Sequence, residues 1–322
     1  MKAVAGVEDV VGVRAGVRPA ALAAGRRLRP AWATRDALLV GAAFAAVYVI
    51  WGSTYLAIAW GIQTIPPLTM IAARCLLAGG VLYAIARRRA GAPSSADWRR
   101  AIVAGVVLFV TGQALLAWSE TRVATGPAAV LIATEPLFVV LLGWLFGRTK
   151  RASRGTWVAL IAGFLGVAVM MLPGELGGVD PLGATVIVLS ALSWSSGMLL
   201  AAPRADASPV QVAGMQLLAG GMVLTIVAIV TGDFASFDPA AVSGRSLAAF
   251  FYLVIFGSLV TYSAYVWLLR RVGPARLSSH GYVNPMVAVA LGAGLAGEPI
   301  TPAVIGASVL ILASVVVLVR AS

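Results

Sequence analysis

The chain of 322 residues holds one cysteine, Cys75, and one histidine, His280. A single thiol excludes an internal disulfide and a thiol redox pair, and together the two residues are too few for a Cys/His zinc cluster. No resident metal or cofactor is expected. Only 11% of the residues are charged, against about 25% in a soluble domain, so there is too little polar surface to keep the chain in water. The phosphate-cradling pattern GxxxxGK[ST] is absent, which removes ATP as an expected direct energy source. The formal net charge of +12 comes without the aromatic and basic interleaving of a base-stacking surface, so nucleic acid is not an expected partner.

What the sequence does have is apolar length. Hydrophobic residues make up 60% of it, with a mean hydropathy of +0.95. They fall into ten blocks, near 38–58, 68–87, 101–119, 124–146, 156–173, 183–203, 209–231, 246–269, 274–297 and 301–319. Each is close to the roughly 20 residues a helix needs to cross a hydrocarbon core of about 30 Å. The expected fold is an all-α membrane protein of ten transmembrane helices with no soluble domain. Cys75 lies inside an apolar block and reads as a small buried hydrophobe.

The basic residues sit in the gaps between blocks. With the N-terminus placed in the cytoplasm, the inside segments carry 21 Lys and Arg and the outside segments carry only Arg122 and Arg245. That bias places both termini inside, in a multi-pass inner (plasma) membrane protein. Residues 1–36 form a basic tail with no compact apolar region after Met1. The tail reads as a disordered arm, weakly drawn to anionic lipid, rather than a cleaved signal.

The two halves resemble each other. Residues 117–143, "AWSETRVATGPAAVLIATEPLFVVLLG", align without gaps on 266–292, "VWLLRRVGPARLSSHGYVNPMVAVALG". Identities include Trp118/Trp267, Arg122/Arg271 and Pro136/Pro285, and with a small gap upstream Trp51 pairs with Trp194. Five helices per half is an odd number, so the second half enters the membrane upside down. An inverted 5+5 repeat is a plan shared by many secondary transporters. The expected units are 37–174 and 183–320.

Glu135 and Pro136 stand in the middle of a greasy run, and Asn284 and Pro285 stand at the aligned place. Paired interruptions of two repeats point to a binding site, and an intramembrane carboxylate is a functional candidate by default. Glu135 is expected to bind a proton or the cationic end of a substrate, the alternative being a permanent partner such as Arg74. Arg74 is expected to reach Glu135 or a substrate carboxylate, or else to snorkel to the headgroups. His280 shares a helix face with Asn284. It serves either as a proton shuttle or as a hydrogen-bonded neighbour between helices. Gln113 and Glu120 share a face of the third helix, with Glu120 near its outer end. Trp51 and Tyr55, following Tyr48 at helical spacing, supply an aromatic stripe. Tyr262, Tyr265 and Trp118 complete the expected small-molecule pocket. Glycines such as Gly79, Gly220, Gly292 and Gly294 allow close helix contact.

The stretches "YVIWGSTYLAIAWGIQTIPPLTMIAARCLLAGG", "ATEPLFVVLLGWLFGRTKRASRGTWVALIAGFLGVAVMML" and "YVNPMVAVALGAGLAGEPITPAVIGASVLILASVVVLV" resemble the EamA family of the drug/metabolite transporter (DMT) superfamily. Within it they are most similar to the YedA-like exporters. The resemblance runs from about 37 to 320. It implies alternating access around a central cavity, export of amino acids, metabolites or drugs, and helices five and ten at the periphery. The family's Gly-Glu after the fourth helix of a repeat stands here as Gly297–Glu298, whereas the first half has Thr149. Glu298 is expected at a helix boundary or gate.

The resulting expectation is a secondary-active exporter of small organic molecules with proton coupling at Glu135, working in membrane lipid as a monomer or homodimer. A passive channel or the membrane subunit of a larger complex is the alternative. An intramembrane serine hydrolase, with His280 beside Ser53 or Ser195, is a third and weaker one, since no nucleophile elbow is present.

Overall fold

Runs of about 20 apolar residues satisfy their own backbone only as helices once water is excluded, and the computed structural model of the protein is helical throughout the parts it describes. These are residues 31–146, 154–170, 179–200, 208–277 and 279–321. The chain divides into two compact units, Met1–Leu38 and Leu39–Ser322. Most of the basic tail lies outside the described residues, as does Thr149.

Ten helices run in sequence among the described residues. They are α1 (Asp36–Gly61), α2 (Pro67–Ala90), α3 (Ser95–Ser119), α4 (Thr125–Leu145), α5 (Arg154–Met170), α6 (Pro181–Leu200), α7 (Pro209–Val230), α8 (Gly244–Val272), α9 (His280–Ala296) and α10 (Pro302–Ala321). Seven are long and apolar enough to cross a membrane, while α5, α9 and α10 carry shorter apolar stretches. The helical backbone of α8 continues to Leu277.

Local chemistry sets the ends. Pro67 opens α2 where its missing N–H costs nothing. Ser94 and Asp97 form a reciprocal capping box at α3, Ser94 Oγ accepting from the Asp97 amide at 3.2 Å. Gly297 ends α9 in the left-handed region at φ +68°, which other side chains rarely adopt.

Polarity is distributed inside out relative to a soluble protein. Leu77, Val81 and Ile85 form an exposed apolar row on α2, and Ile226, Ile229 and Val230 do so on α7. Arg74, Glu135, His280, Asn284 and Gln216 are buried. Such a surface suits lipid, and the protein is a multi-pass membrane protein.

The helix contacts come in counterparts. Exchanging the halves turns the packing of α3 on α6 into that of α8 on α1, α3 on α7 into α8 on α2, and α4 on α6 into α9 on α1. The pairs α2/α7, α4/α9 and α5/α10 map onto themselves and also pack together. The α2/α7 seam is close because glycine lines it. A Cβ on Gly79 would come within 2.7 Å of the Leu218 backbone nitrogen, and one on Gly214 within 2.6 Å of that of Tyr83. Gly220 meets α3 in the same way at the Gly105 carbonyl, but Gly294 faces open space.

Candidate functional site

Pro136 cannot donate to Ile132, and α4 breaks just ahead of it. Its first segment, Thr125–Ile132, and its second, Glu135–Leu145, are separate helices joined through Ala133 and Thr134. Glu135 is therefore the first residue of a helix, where the positive end of the peptide dipoles favours a carboxylate. Pro136 follows it in the first turn, where proline is tolerated. The break thus accommodates the two residues that look costly in an apolar run.

The matching interruption expected at Pro285 does not occur there. α9 runs unbroken through Pro285, and its helical run begins instead at His280, after the turn residue Ser279, about one turn ahead of the aligned position. His280 is consequently the first residue of α9 and faces the break in α4. Glu135 Oε1 lies 3.8 Å from His280 Nε2, too far for a hydrogen bond. Neither atom has another partner.

Three segments widen to π-helix, a form that recurs at functional sites. They are Ala46–Ile50 in α1, Val106–Gln113 in α3 and Leu253–Tyr262 in α8. The last two belong to counterpart helices. The extra residue in α1 shifts the phase of its aromatic row, so Trp51 and Tyr55 line the cavity while Tyr48 bonds Ser279 Oγ at 2.7 Å. Asn284 settles carbonyls loosened there. With its amide turned so that both ends find partners, the nitrogen donates to the carbonyls of Tyr48 at 2.9 Å and Val47 at 3.2 Å.

These elements enclose a cavity whose space, its open mouth included, is about 630 Å³. Of the residues expected to meet, Glu135, Arg74, Asn284, His280, Gln113, Trp51, Tyr55 and Tyr262 line it. Trp118, Tyr265, Pro136 and Pro285 do not. Trp118 lies under Arg122, 5.0 Å from its guanidinium carbon. Tyr265 stands behind the wall, its ring 4.8 Å from that of Trp51. Pro136 instead packs toward Gly281.

Arg74 neither snorkels nor pairs with Glu135. It is 2% exposed, donates from Nε to Ser258 Oγ at 2.8 Å, and leaves Nη1 without a partner. Among the described residues no ion pair joins Arg74 to Glu135. The two ionisable groups share one cavity without pairing with each other.

Sequence reasoning missed Trp194, Phe109, Ser190 and Ser258 as wall residues. Ser258 is four residues before Tyr262 on α8 and Phe109 four before Gln113 on α3, so helical spacing from a recognised member was the available signal for those two, while Trp194 was signalled by its pairing with Trp51 in the repeat. The serines imagined as nucleophiles are engaged elsewhere. Ser195 donates to the carbonyls of Ala191 and Glu135, and Ser53 bonds the Ile50 carbonyl and the Tyr252 hydroxyl.

At one end of the molecule the second half grips the first. Glu298 accepts from the amides of Thr125 at 2.9 Å and Gly126 at 3.0 Å, capping α4. Asp233, after α7, accepts from the Thr69 amide and hydroxyl, both at 2.8 Å, capping α2. Glu298 is therefore a helix-boundary contact between halves, outside the cavity.

A lipid-facing helical shell around a buried cavity with polar and charged walls defines a membrane transporter rather than an enzyme. The chain belongs to the EamA-like transporter family, whose model matches it twice, over residues 38–172 and 181–320. It is 36% identical over 265 residues to the uncharacterized inner membrane transporter YedA of Escherichia coli (strain K12), covering 82% of this chain and 84% of that one. It is 28% identical over 274 residues to protein PecM of Dickeya dadantii (strain 3937), covering 82% and 88%. A solved crystal structure of a protein 17% identical in sequence superposes with a TM-score of 0.61, over 86% of this chain and 95% of that one. That likeness bears on the fold alone.

Proposed function

We propose that the protein is a secondary-active, alternating-access transporter that exports small organic molecules across the inner (plasma) membrane. Its halves, 37–174 and 183–320, insert in opposite senses, and both termini lie in the cytoplasm. The cavity carries this reading. It is walled by both halves, apolar and aromatic over most of its surface through Trp51, Phe109, Trp194 and Tyr262, and it holds Glu135 and Arg74 unpaired with each other. Amino acids, metabolites and drugs are the solutes such a wall suits.

The counterpart packing supports the inverted repeat, and the excess of Lys and Arg in alternate loops supports the orientation. In that orientation the turn at 120–124 and the loop at 297–301 face outside. The Glu298 and Asp233 contacts then hold the outer end closed, and rocking of one half against the other opens it. Glu135, buried beside His280 with one oxygen unpartnered, takes the coupling proton.

Counterflow in proteoliposomes, run across amino acids, metabolites and cationic drugs at two pH values, tests the reading. A transporter gives saturable counterflow of at least one solute. Ion conductance without saturable exchange would replace it with a channel.

A further inference from the structure

A second carboxylate is buried away from the central cavity, where α3 hands over to α4. Glu120 follows the last residue of the apolar span Ser95–Ser119. It is 8% exposed, and neither of its oxygens has a hydrogen-bond partner. Thr125, the first residue of α4, is fully buried and its hydroxyl is likewise unpartnered.

The groups around Glu120 do not supply a counter-charge. Glu298, from the loop between α9 and α10, adds a negative field, and burial together with that field pushes the Glu120 carboxyl well above the ordinary carboxylate range. From α1, the Tyr55 hydroxyl lies in the fields of both Glu120 and Glu135. Arg122, two residues on, is turned away to Trp118 and to Asp180, at 3.3 Å.

An ionised carboxylate buried without a partner is strongly disfavoured, so Glu120 needs a cation or a proton. A hard metal cation takes about six oxygens or more. Among the described residues the unpartnered buried side-chain oxygens at this turn are those of Glu120 and the Thr125 hydroxyl, and Glu298 already accepts two amides. Among the described residues no group of three His, Cys, Asp or Glu side chains could hold a metal. One proton meets the need and gives Glu120 a donor.

We propose that Glu120 is a second proton-binding site of the transport cycle, distinct from the central cavity and loaded from the outer side as the outer end closes. The proposal rests on the transporter reading and orientation given above. Closure seats Glu298 on α4 and buries Glu120 beside it, so the closed state holds the neutral acid. Opening rehydrates the carboxyl and lets it ionise. Because the closed state raises the proton affinity, closure is favoured at low pH and loses that support as pH rises through the closed-state pKa. In an exporter the proton taken up outside then accompanies the return of the emptied carrier.

Spin labels at Gln63→Cys and Ile300→Cys, in a Cys75→Ala background of the full chain in nanodiscs, report closure of the outer end without reference to transport. The ratio of closed to open molecules is expected to fall by up to about tenfold per pH unit between the open-state and closed-state pKa values of the site, and to level off above the closed-state pKa. Glu120→Gln should hold the outer end closed across the range. Glu120→Asp should keep a slope with a moved midpoint, which guards against a misfolded amide variant. Glu298→Gln should shift the ratio toward open while keeping the slope. A Glu120→Gln protein that titrates as the parent does, or a ratio that follows sodium at fixed pH instead of protons, overturns the site. Counterflow with a Glu120-independent titration overturns the proton site alone. A Glu120-dependent titration without any solute exchange sustains the site and overturns the export reading.

Discussion

Trp51 and Trp194 meet edge to face across the cavity, their ring centroids 5.7 Å apart and their planes at 82°. They are counterparts in the alignment of the two halves, one on α1 and one on α6. Trp51 is also pinned by donating from Nε1 to the Gly257 carbonyl at 3.0 Å, so its edge is committed to the protein. Trp194 packs against the rings of Trp51, Phe109, Tyr262 and Tyr265 and lines the cavity.

Trp194→Ala should therefore weaken solute binding more than it weakens the fold. Loss of one aromatic wall is expected to raise the half-saturation concentration in counterflow about tenfold, equivalent to about 1.4 kcal/mol. Trp194→Phe should recover most of it. Equal losses for the two variants would mean that the indole edge, and not the ring face, binds the solute.

Glu135→Gln is expected to separate exchange from coupling. The amide keeps the shape of a side chain that is 2% exposed but cannot release a proton. Counterflow should persist, while uptake driven by a pH gradient should drop at least tenfold, taking a proton-transfer contribution of about 10²-fold as the guide. His280→Gln, which removes the imidazole 3.8 Å away, should move the pH optimum without abolishing coupling. A Glu135→Gln protein with its pH profile intact would take Glu135 out of the coupling role.

The reach and the limits of the sequence have physical reasons. Ten apolar blocks become ten helices because length and hydropathy leave no other way to satisfy the backbone in lipid. The break at Pro136 follows from a missing donor, which a sequence displays directly. Pro285 has the same missing donor, yet α9 continues through it, because neighbouring helices in a bundle can absorb one lost bond. The break comes one helical turn earlier, at the turn residue Ser279, where the only mark in the sequence is a serine ahead of the helix start, a weaker signal than a proline. Phase was the other hidden quantity. The π-helical turn at Ala46–Ile50 moves Tyr48 off the Trp51 and Tyr55 row, and an ideal 3.6-residue period cannot anticipate the added residue. Trp118 is expected in the cavity from its repeat-related pairing with Trp267, and Tyr265 from its helical spacing to Tyr262. Arg122 covers the first, and the ring of Trp51 stands before the second.

Arg74 offers a test of solute charge. Its Nε is fixed by Ser258, so the guanidinium is held in a set orientation with Nη1 spare. Arg74→Lys keeps the charge but loses the planar fork that pairs with a carboxylate. Solutes bearing a carboxylate should lose at least tenfold in apparent affinity, whereas purely cationic solutes should be affected less than about twofold, on the view that a charge-assisted bond contributes about 1.5–3 kcal/mol. Ser258→Ala should give a smaller loss of the same selectivity. Competition of unlabelled solutes in counterflow measures both, and a uniform loss across solute charges would assign Arg74 to structure.

The α2/α7 seam is one of the places where the two halves lie close together, and its geometry predicts a pure packing defect. At Gly79 an added Cβ meets the Leu218 backbone nitrogen at 2.7 Å and the Leu217 side chain at 2.9 Å. Backbone cannot yield as a flexible side chain does, so Gly79→Val must part the helices. Overpacking of this kind costs about 1–3 kcal/mol, and thermal unfolding in detergent should begin several degrees lower. Gly80, one residue along, faces open space, and Gly80→Val should leave the unfolding temperature close to the parent's. The contrast between adjacent glycines separates seam packing from a general penalty for branched residues in α2. Should the two variants unfold alike, the close approach at Gly79 is not what holds the halves together.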